Sequence, residues 1–359
     1  IQGMDLKSKI IINQKVTKMK KFLSMLVLSL ALLACTKQEV YEHETTSVIT
    51  IYLNSQTMTR SAAKSSSPTR SALVSDPKAV ENTVNSVTIA VFKSDGTLRT
   101  LKEFSSPSKS VTMKVANLTT SDKVVCVANA KVGTFASIKT LDEFNTKEVS
   151  LDDALTTNGV DIIANNLLMY GSGAIIADKD GYVSNVDMYH LNSKISLNSL
   201  TVSIPNGGTF KSKEIFLINV PSSFKYSYDA PYTSSTYLHG SLNSSIPNES
   251  QKLYLGYGNI NSAVNKLFFY SSPNNSVKYT KIVIFGSYDQ DGNGPLQAKD
   301  TYYPIIIDKN VLPNKNYVLN VTIKGVGVDS PTDDLNYSNL TVTLNVNNFD
   351  DISKDISLD

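Results

Sequence analysis

The sequence predicts a mainly β protein built as two tandem, immunoglobulin-like β-sandwich domains, with one short helix in the first. Short runs rich in β-branched and aromatic residues recur along the chain, and Ser, Thr, Asn and Gly separate them, as in all-β domains. One segment, residues 134–146, instead spaces its apolar residues three or so apart, as a helix does. About 290 residues follow Arg70, which is enough for two domains of ordinary size.

The N-terminal segment has the features of an export signal. Residues 1–18 carry no such pattern, and we expect them to be an upstream over-extension of the reading frame. Residues 19–34 contain two lysines followed by an almost unbroken apolar run. This run is shorter than the ~20 residues of a membrane-spanning helix and predicts a secretory signal peptide. It ends Leu32-Leu33-Ala34-Cys35, which resembles a bacterial lipobox, so Cys35 is the predicted lipidation site.

Residues 35–70 are predicted to form a lipidated propeptide that contains one β-strand, Val48–Leu53. The strand is rich in β-branched residues, and its alternation places Ile49, Ile51 and Leu53 on one face. Burying these three side chains in a groove of the following domain would contribute roughly 1.5–3 kcal/mol each. We therefore expect this strand to complete the first domain.

The linker of residues 54–72 follows the strand and is rich in Ser and Thr without apolar periodicity. Such a linker should be exposed and easily cut. It contains Arg60 and Arg70, each followed by Ser. An arginine in a linker of this kind is usually a solvated charge, and the small residue after each one also suits a protease.

The two predicted domains cover residues 71–183 and 184–359. In the first, we predict strands at 84–92, 110–116 and 123–129, followed by the helix. The strands predicted for the second domain are 188–204, 210–220, 252–255, 266–271, 277–288, 302–308, 317–324 and 340–346.

The charge distribution argues against nucleic-acid binding. Residues 1–70 hold ten of the 34 Lys and Arg and four of the 32 Asp and Glu, which leaves 24 basic and 28 acidic side chains in residues 71–359. Nucleic-acid binding needs a basic surface, which this balance does not supply. With Cys35 assigned to lipid, Cys126 remains as a single thiol in an apolar run, so we expect a buried hydrophobic side chain and no disulfide.

The sequence contains no pattern of an enzyme active site. Nucleophilic catalysis needs a base beside the nucleophile, and the only histidines are His43, His190 and His239. No Gly-x-Ser-x-Gly segment occurs. We expect a protein that is not an enzyme and has no cofactor.

One stretch imitates a calcium loop. Asp289, Asp291 and Asn293 supply oxygen atoms at loop positions 1, 3 and 5, and Asp300 stands at position 12. The flanking segments are predicted strands, however, and Asp-Gly and Asn-Gly are common hairpin-turn dipeptides. A plain hairpin is the favoured interpretation, with a structural calcium site as the alternative.

Several tracts, taken in order, resemble the fimbrillins of Bacteroidales, the type V pilins. They are Leu191–Val202, Ile215–Pro221, Tyr302–Ile307 and Asn316–Gly327. The lipobox, the first strand and the arginine linker match the same family in the same order, so the resemblance extends from Met19 to the C-terminus. At Asn347–Asp351 the chain departs from it, because relatives often carry a Trp near this end.

The resemblance implies two transthyretin-like sandwiches, assembly into surface fimbriae, and removal of the lipidated N-terminal piece by an Arg-specific protease. For the cut we favour Arg70, with Arg60 as the alternative. The vacated groove would then need a replacement strand. Two C-terminal segments alternate suitably: Leu340, Val342, Leu344 and Val346 in one, and Ile352, Ile356 and Leu358, with Lys354 among them, in the other. We expect the first to pair within its own subunit and the second to be donated, with the reverse assignment open.

The expected function is therefore that of a structural subunit of adhesive cell-surface fimbriae. Its expected partners are copies of itself or related subunits, the protease, and the outer membrane through the lipid before cleavage. One alternative is a tip or anchor subunit. Another is a surface lipoprotein that binds glycans through exposed tyrosines such as Tyr226, Tyr228 and Tyr232.

Overall fold

Strands dominate the computed structural model, which describes residues 45–54, 81–157, 160–161, 166–228, 234–240, 248–256, 267–294 and 297–349. In chain order, the strands of this described part are β1 (Thr46–Asn54), β2 (Ser86–Phe92), β3 (Leu98–Ser105), β4 (Ser110–Ala116), β5 (Lys123–Ala128), β6 (Glu148–Ser150), β7 (Thr156–Thr157), β8 (Val160–Asp161), β9 (Met169–Ala174), β10 (Ile176–Asp178), β11 (Gly181–Asp187), β12 (Tyr189–His190), β13 (Ser193–Val202), β14 (Thr209–Ile218), β15 (Val220–Pro221), β16 (Ser223–Lys225), β17 (Tyr237–Leu238), β18 (Tyr254–Gly256), β19 (Leu267–Ser271), β20 (Lys281–Asp289), β21 (Lys299–Ile306), β22 (Lys315–Ile323) and β23 (Leu340–Asn348). The α-helices are α1 (Leu141–Thr146) and α2 (Leu151–Ala154), and 3-10 turns cover Pro205–Gly207, Gln251–Leu253 and Tyr337–Asn339.

Four larger sheets are formed by these strands. Sheet A has the order β10-β11-β1-β4, and sheet B has the order β12-β9-β5-β2-β3. Sheet C has the order β19-β13-β22-β23, and sheet D has the order β18-β14-β20-β21. Sheets A and B form a first sandwich and sheets C and D a second, so the predicted all-β fold of two sandwiches is confirmed.

The first sandwich is held together by one apolar cluster between sheets A and B. Sheet B contributes alternating side chains such as Val87, Ile89 and Val91, whereas Ala90 and Phe92 face the opposite side. This alternation follows from the two-residue period of a strand. Both faces of β2 and β5 are therefore buried, which explains their nearly continuous apolar sequences.

The helix lies later than the sequence predicts. Residues 134–137 form turns, and α1 begins only after Thr140. The backbone of Thr140 is extended, and its side chain caps the helix by accepting a hydrogen bond from Glu143 N at 3.2 Å. Phe135 and Phe144 still stack in the core, with ring centroids 4.6 Å apart. The spacing of the apolar residues thus reflects burial of one side of the segment, and the segment is not a continuous helix.

The core of the second sandwich continues into the outer face of sheet B. Apolar side chains of β13, β14, β20 and β22 share a cluster with Phe92, Phe135 and Phe144. Strand pairing adds to this junction, because β16 pairs with β6 through Phe224 and Val149. The first sandwich also extends past residue 183, where the sequence places the domain boundary, since β11 and β12 belong to sheets A and B.

A buried ion pair crosses the same junction. Lys194 Nζ on β13 lies 2.7 Å from Glu81 Oε1, and both side chains are only 2% exposed. Tyr270 donates a hydrogen bond to the same carboxylate oxygen at 2.5 Å. The ring of Phe349, just after β23, stacks on Tyr270 and His190. The first described residues after the linker and the end of β23 therefore meet at one polar and aromatic cluster.

Candidate functional site

The most unusual element of the described chain is β1, because it lies in the middle of sheet A although the long linker separates it from the rest of the domain. It runs antiparallel to β4 and parallel to β11. We call the space between β4 and β11 that this strand fills the β1 slot. A segment predicted to be removable therefore supplies a central strand.

The inner face of β1 is fully buried. Ile49 and Ile51 are 0% exposed and Leu53 is 2% exposed. They pack into the apolar cluster of the first sandwich, whose other members from sheet A include Val111, Met113, Val115 and Val186. The predicted inward row is thus present, and it forms part of the core and not of its rim.

The outer face of β1 makes one polar contact with each wall of the slot. Thr50 Oγ1 lies 3.1 Å from Thr112 Oγ1 on β4. Asn54 Nδ2 donates a hydrogen bond to Asp187 Oδ1 on β11 at 3.1 Å. Val48 and Tyr52 on the same face are 39% and 43% exposed. The outer face therefore positions β1 through hydrogen bonds and adds little buried apolar surface.

Gly181 allows β11 to approach β1 closely. Its φ angle is +139°, and a Cβ atom there would lie 2.5 Å from the carbonyl oxygen of Val48. A side chain at this position would collide with β1, and only glycine adopts this backbone conformation readily. Sequence reasoning missed β11 as a wall of the slot, although the glycine followed by alternating Tyr182, Ser184 and Val186 was an available signal.

The C-terminal strand β23 lies at the edge of sheet C and pairs only with β22, in antiparallel register, among the described strands. Leu340 is buried and Val342 and Leu344 are half-buried, whereas Val346 is 48% exposed. This strand is held less completely than β1, as expected for a strand with one paired side. The second candidate donor, with Ile352, Ile356 and Leu358, lies outside the described residues, as do Cys35, Arg60 and Arg70.

The side chains of the alternative calcium loop make other contacts. Asp289 accepts hydrogen bonds from the backbone N–H groups of Gly292 and Gly294, so its carboxylate closes the turn between β20 and β21. Asp300 instead binds Lys213 Nζ at 2.6 Å and accepts a hydrogen bond from Ser287, and these contacts lower its pKa. Within the described residues, no three His, Cys, Asp or Glu side chains come together where they could hold a metal ion.

The cysteine, histidine and tyrosine side chains considered in the sequence analysis that lie in the described residues are mostly packed inside the fold. Cys126 is a free thiol that is fully buried, and burial raises its pKa. His190 Nε2 lies 2.7 Å from Asn82 Oδ1, and burial lowers the pKa of His239. Tyr226 is buried against Phe135, whereas Tyr228 is 38% exposed beside Tyr189. Tyr232 lies outside the described residues.

None of the described helices is long and apolar enough to cross a membrane.

A protein-family comparison matches this region directly. Residues 48–213, which begin inside β1 and end inside β14, match the family model described as major fimbrial subunit protein (FimA). The resemblance to the fimbrillin family is confirmed. The matched segment contains residues 48–54 of β1 together with both walls of its slot, so the fimbrillin match includes nearly all of the candidate site.

Solved structures share the fimbrillin-like fold. A fimbrilin (fimA) from Porphyromonas gingivalis W83 matches with a TM-score of 0.61 at 17% identity, over 84% of this chain and 97% of that one. A Bacteroides eggerthii protein described provisionally as a cell adhesion protein matches with a TM-score of 0.62 at 20% identity, over 85% and 97%. A similarly described protein from Parabacteroides distasonis matches with a TM-score of 0.59 at 18% identity, over 85% of this chain and 99% of that one. A search of curated proteins found no match.

Proposed function

We propose that this chain is a structural subunit of a cell-surface fimbria that assembles by exchange of strands between subunits. The observation that carries the proposal is the position of β1, a central strand of sheet A that precedes the linker of residues 54–72. The match of residues 48–213 to the major fimbrial subunit family supports the same function. The chain would thereby support adhesion of the cell that displays it.

Export precedes assembly in this proposal. The signal of residues 19–34 directs the chain out of the cytoplasm, and lipid on Cys35 holds the precursor at the outer membrane. While β1 stays in its slot, the precursor is complete and has no unpaired strand in the middle of sheet A. Premature assembly is thereby prevented.

Cleavage in the linker then allows β1 to leave its slot. An Arg-specific protease cuts after Arg70, or after Arg60, and separates β1 covalently from the domain. Loss of Ile49, Ile51 and Leu53 from the core costs about 5–9 kcal/mol, taking 1.5–3 kcal/mol for each buried side chain as an upper estimate. Because a whole domain is stable by only about 5–15 kcal/mol, the empty slot requires a replacement.

The replacement is a C-terminal strand of another subunit, added to the exposed strand edges of β4 and β11 as in other cases of strand addition. Both candidates, residues 340–346 and residues 352–358, have the required alternation. The partner is a second copy of this chain or a related subunit.

The cleavage step is tested by replacing both Arg60 and Arg70 by Ala. The variant should remain lipidated and monomeric at the cell surface, because β1 keeps the slot closed. Fimbriae of normal length from this variant would rule out cleavage as the trigger. N-terminal sequencing of protein shed from wild-type cells identifies the cut arginine, and an N-terminus at Cys35 would instead indicate an anchor subunit.

The exchange step is tested by removing residues 340–359, which takes away both candidate donors. Cleaved protein of this kind should not polymerise with itself, although its own slot can still accept a strand from wild-type subunits. Ladders of oligomers formed by the truncated protein alone would contradict strand exchange. Binding of the monomer to a glycan array, with no oligomers from the full-length chain, would favour the glycan-binding alternative.

A further inference from the structure

The two polar contacts on the outer face of β1 indicate which strand can replace it. The following inference rests on the proposed strand exchange. One contact comes from each wall: Thr112 on β4 meets Thr50, and Asp187 on β11 meets Asn54. Any strand that enters the slot brings its own side chains to these two places. The walls therefore select a strand with a Thr and an Asn four residues apart on its outward face.

The strand β23 carries this pattern. Residues 49–54 read Ile-Thr-Ile-Tyr-Leu-Asn, and residues 340–345 read Leu-Thr-Val-Thr-Leu-Asn. We propose that β23 is the donated strand, that Thr341 and Asn345 replace Thr50 and Asn54, and that Thr112 and Asp187 are the residues that recognise them. Leu340, Val342 and Leu344 would then occupy the places of Ile49, Ile51 and Leu53.

The residues at the two ends of the strand match those of β1 better in this register than after a slip of two residues. In the proposed alignment, Ser338 takes the place of Ser47, and Leu344 takes the place of Leu53. A slip of two keeps Thr and Asn at the polar contacts, but it replaces the buried Leu53 by the smaller Val346 and the half-buried Ser47 by Leu340. A slip of one residue would turn every apolar side chain outward.

The C-terminal tail fits the slot poorly. Placing Ile356 and Leu358 at positions 51 and 53 puts Lys354 in the fully buried place of Ile49 and sets Asp359 opposite Asp187. A buried unpaired ammonium group and two facing carboxylates both disfavour this arrangement. Moving the tail so that Ile352 takes position 49 puts Lys354 in the fully buried place of Ile51 instead.

In its own subunit, β23 has features suited to release. It lies at a sheet edge, Thr341 and Asn345 are exposed, and Val342 and Leu344 are half-buried. In the β1 slot the same side chains would occupy places where Ile51 and Leu53 are almost completely buried. Transfer therefore buries more apolar surface and pairs both edges of the strand, which favours the exchanged state.

Cysteine cross-linking between subunits tests the donor and its register together. Cleaved subunits carrying Thr112→Cys and Thr341→Cys should form a disulfide-linked ladder on mild oxidation. Thr112→Cys with Thr343→Cys reports the two-residue slip, and Thr112→Cys with Asp355→Cys or Ser357→Cys reports the tail. Thr50→Cys with Thr112→Cys in the uncut chain is the positive control, and buried Cys126 does not compete.

The results of this experiment distinguish the donor and its register from strand exchange itself. A ladder through Thr341→Cys, with little from the other pairs, supports the inference. Polymers linked through position 343, 355 or 357, or polymers with no cross-link when the control works, overturn it and leave strand exchange standing. Absence of polymers from cleaved wild-type protein overturns strand exchange itself.

Two further variants test recognition and donor identity separately. Asp187→Ala should lower the yield of Thr341→Cys cross-links about threefold to tenfold, as expected for loss of one solvent-exposed hydrogen bond of ordinary strength. Asp178→Ala, at an exposed acid on β10, should not change the yield. Deleting residues 350–359 should leave polymerisation intact, and loss of polymers on that deletion would assign donation to the tail.

Discussion

Ile51 contributes to the stability of the uncut protein because its side chain is wholly buried in the β1 slot. Replacing it by Ala should lower the free energy of unfolding by about 2–5 kcal/mol, the usual cost of such a truncation in a core. Urea unfolding of the uncut chain measures this change. Val48→Ala, on the exposed face of the same strand, is the matched control and should cost about 0.5 kcal/mol or less. Equal effects would mean that β1 is not anchored through its inner face.

Gly181 is the residue at which the wall of the slot has no room for a side chain. Gly181→Ala should destabilise the uncut chain by more than about 1 kcal/mol, since it adds both backbone strain and a collision with Val48. Gly96→Ala is the control, because Gly96 also has a positive φ angle but nothing within 4 Å of an added Cβ. The difference in melting temperature between the two variants reports the collision together with the strain of the different φ angle at Gly181, and no difference would contradict the close approach.

Glu81 and Lys194 tie the start of the first sandwich to β13 of the second. Lys194→Met leaves the buried carboxylate without its cation and should destabilise the protein by about 3–5 kcal/mol. Adding Glu81→Gln should restore much of that loss, because the remaining amide is uncharged. Denaturant unfolding of the two single variants and the double variant measures the coupling, and simple additivity would show that the pair does not act as a unit.

Strand β14 carries a carboxyl group whose environment opposes its charge. Burial raises the pKa of Glu214, with Tyr254 and Lys213 lowering it to a smaller extent. Because the folded-state pKa lies above the unfolded one, this group favours folding at acidic pH and its contribution is lost as the pH rises through the folded pKa. Glu214→Gln should therefore raise the melting temperature at pH 7 more than at pH 4. A gain that is the same at both values would contradict this assignment.

The elements differ in how well the sequence predicts them. The inward row of β1 and the bounds of β4 follow from local alternation, and both are found in the structure. The pairing of β1 with β11 could not be predicted in this way, because more than 120 residues separate them and no local pattern specifies a partner. The edge strand β3 was also missed, since its half-exposed polar residues obscure the alternation.

In the whole molecule, we expect the cutting of the linker and the loss of β1 to be separate events. The strand should remain in its slot after proteolysis, because burial and pairing on both sides hold it without a covalent link. Native mass spectrometry of the cleaved protein should therefore find the β1 peptide still bound, and adding subunits with a free C-terminal strand should release it. Immediate loss of the peptide on cutting would show that the slot opens spontaneously.

The sandwich architecture was predictable from composition and strand spacing, but the shared core was not. Phe135 and Tyr226 come from segments about 90 residues apart and meet at a ring distance of 5.0 Å. Contacts of this kind depend on how two sheets face each other, which no window of sequence contains. For the same reason, the Asn54–Asp187 hydrogen bond at one wall of the slot could be seen only in three dimensions.

The mixed pairing of β1 has a consequence for the geometry of any fibre. β1 pairs in parallel with one wall of the slot and antiparallel with the other, so a donated strand that keeps the register proposed for β23 also keeps the direction of β1. Every junction between subunits would then point the same way, giving a head-to-tail contact that does not close on itself. A filament built from such junctions is a polar one with two chemically different ends, one offering an empty slot and the other a spare strand.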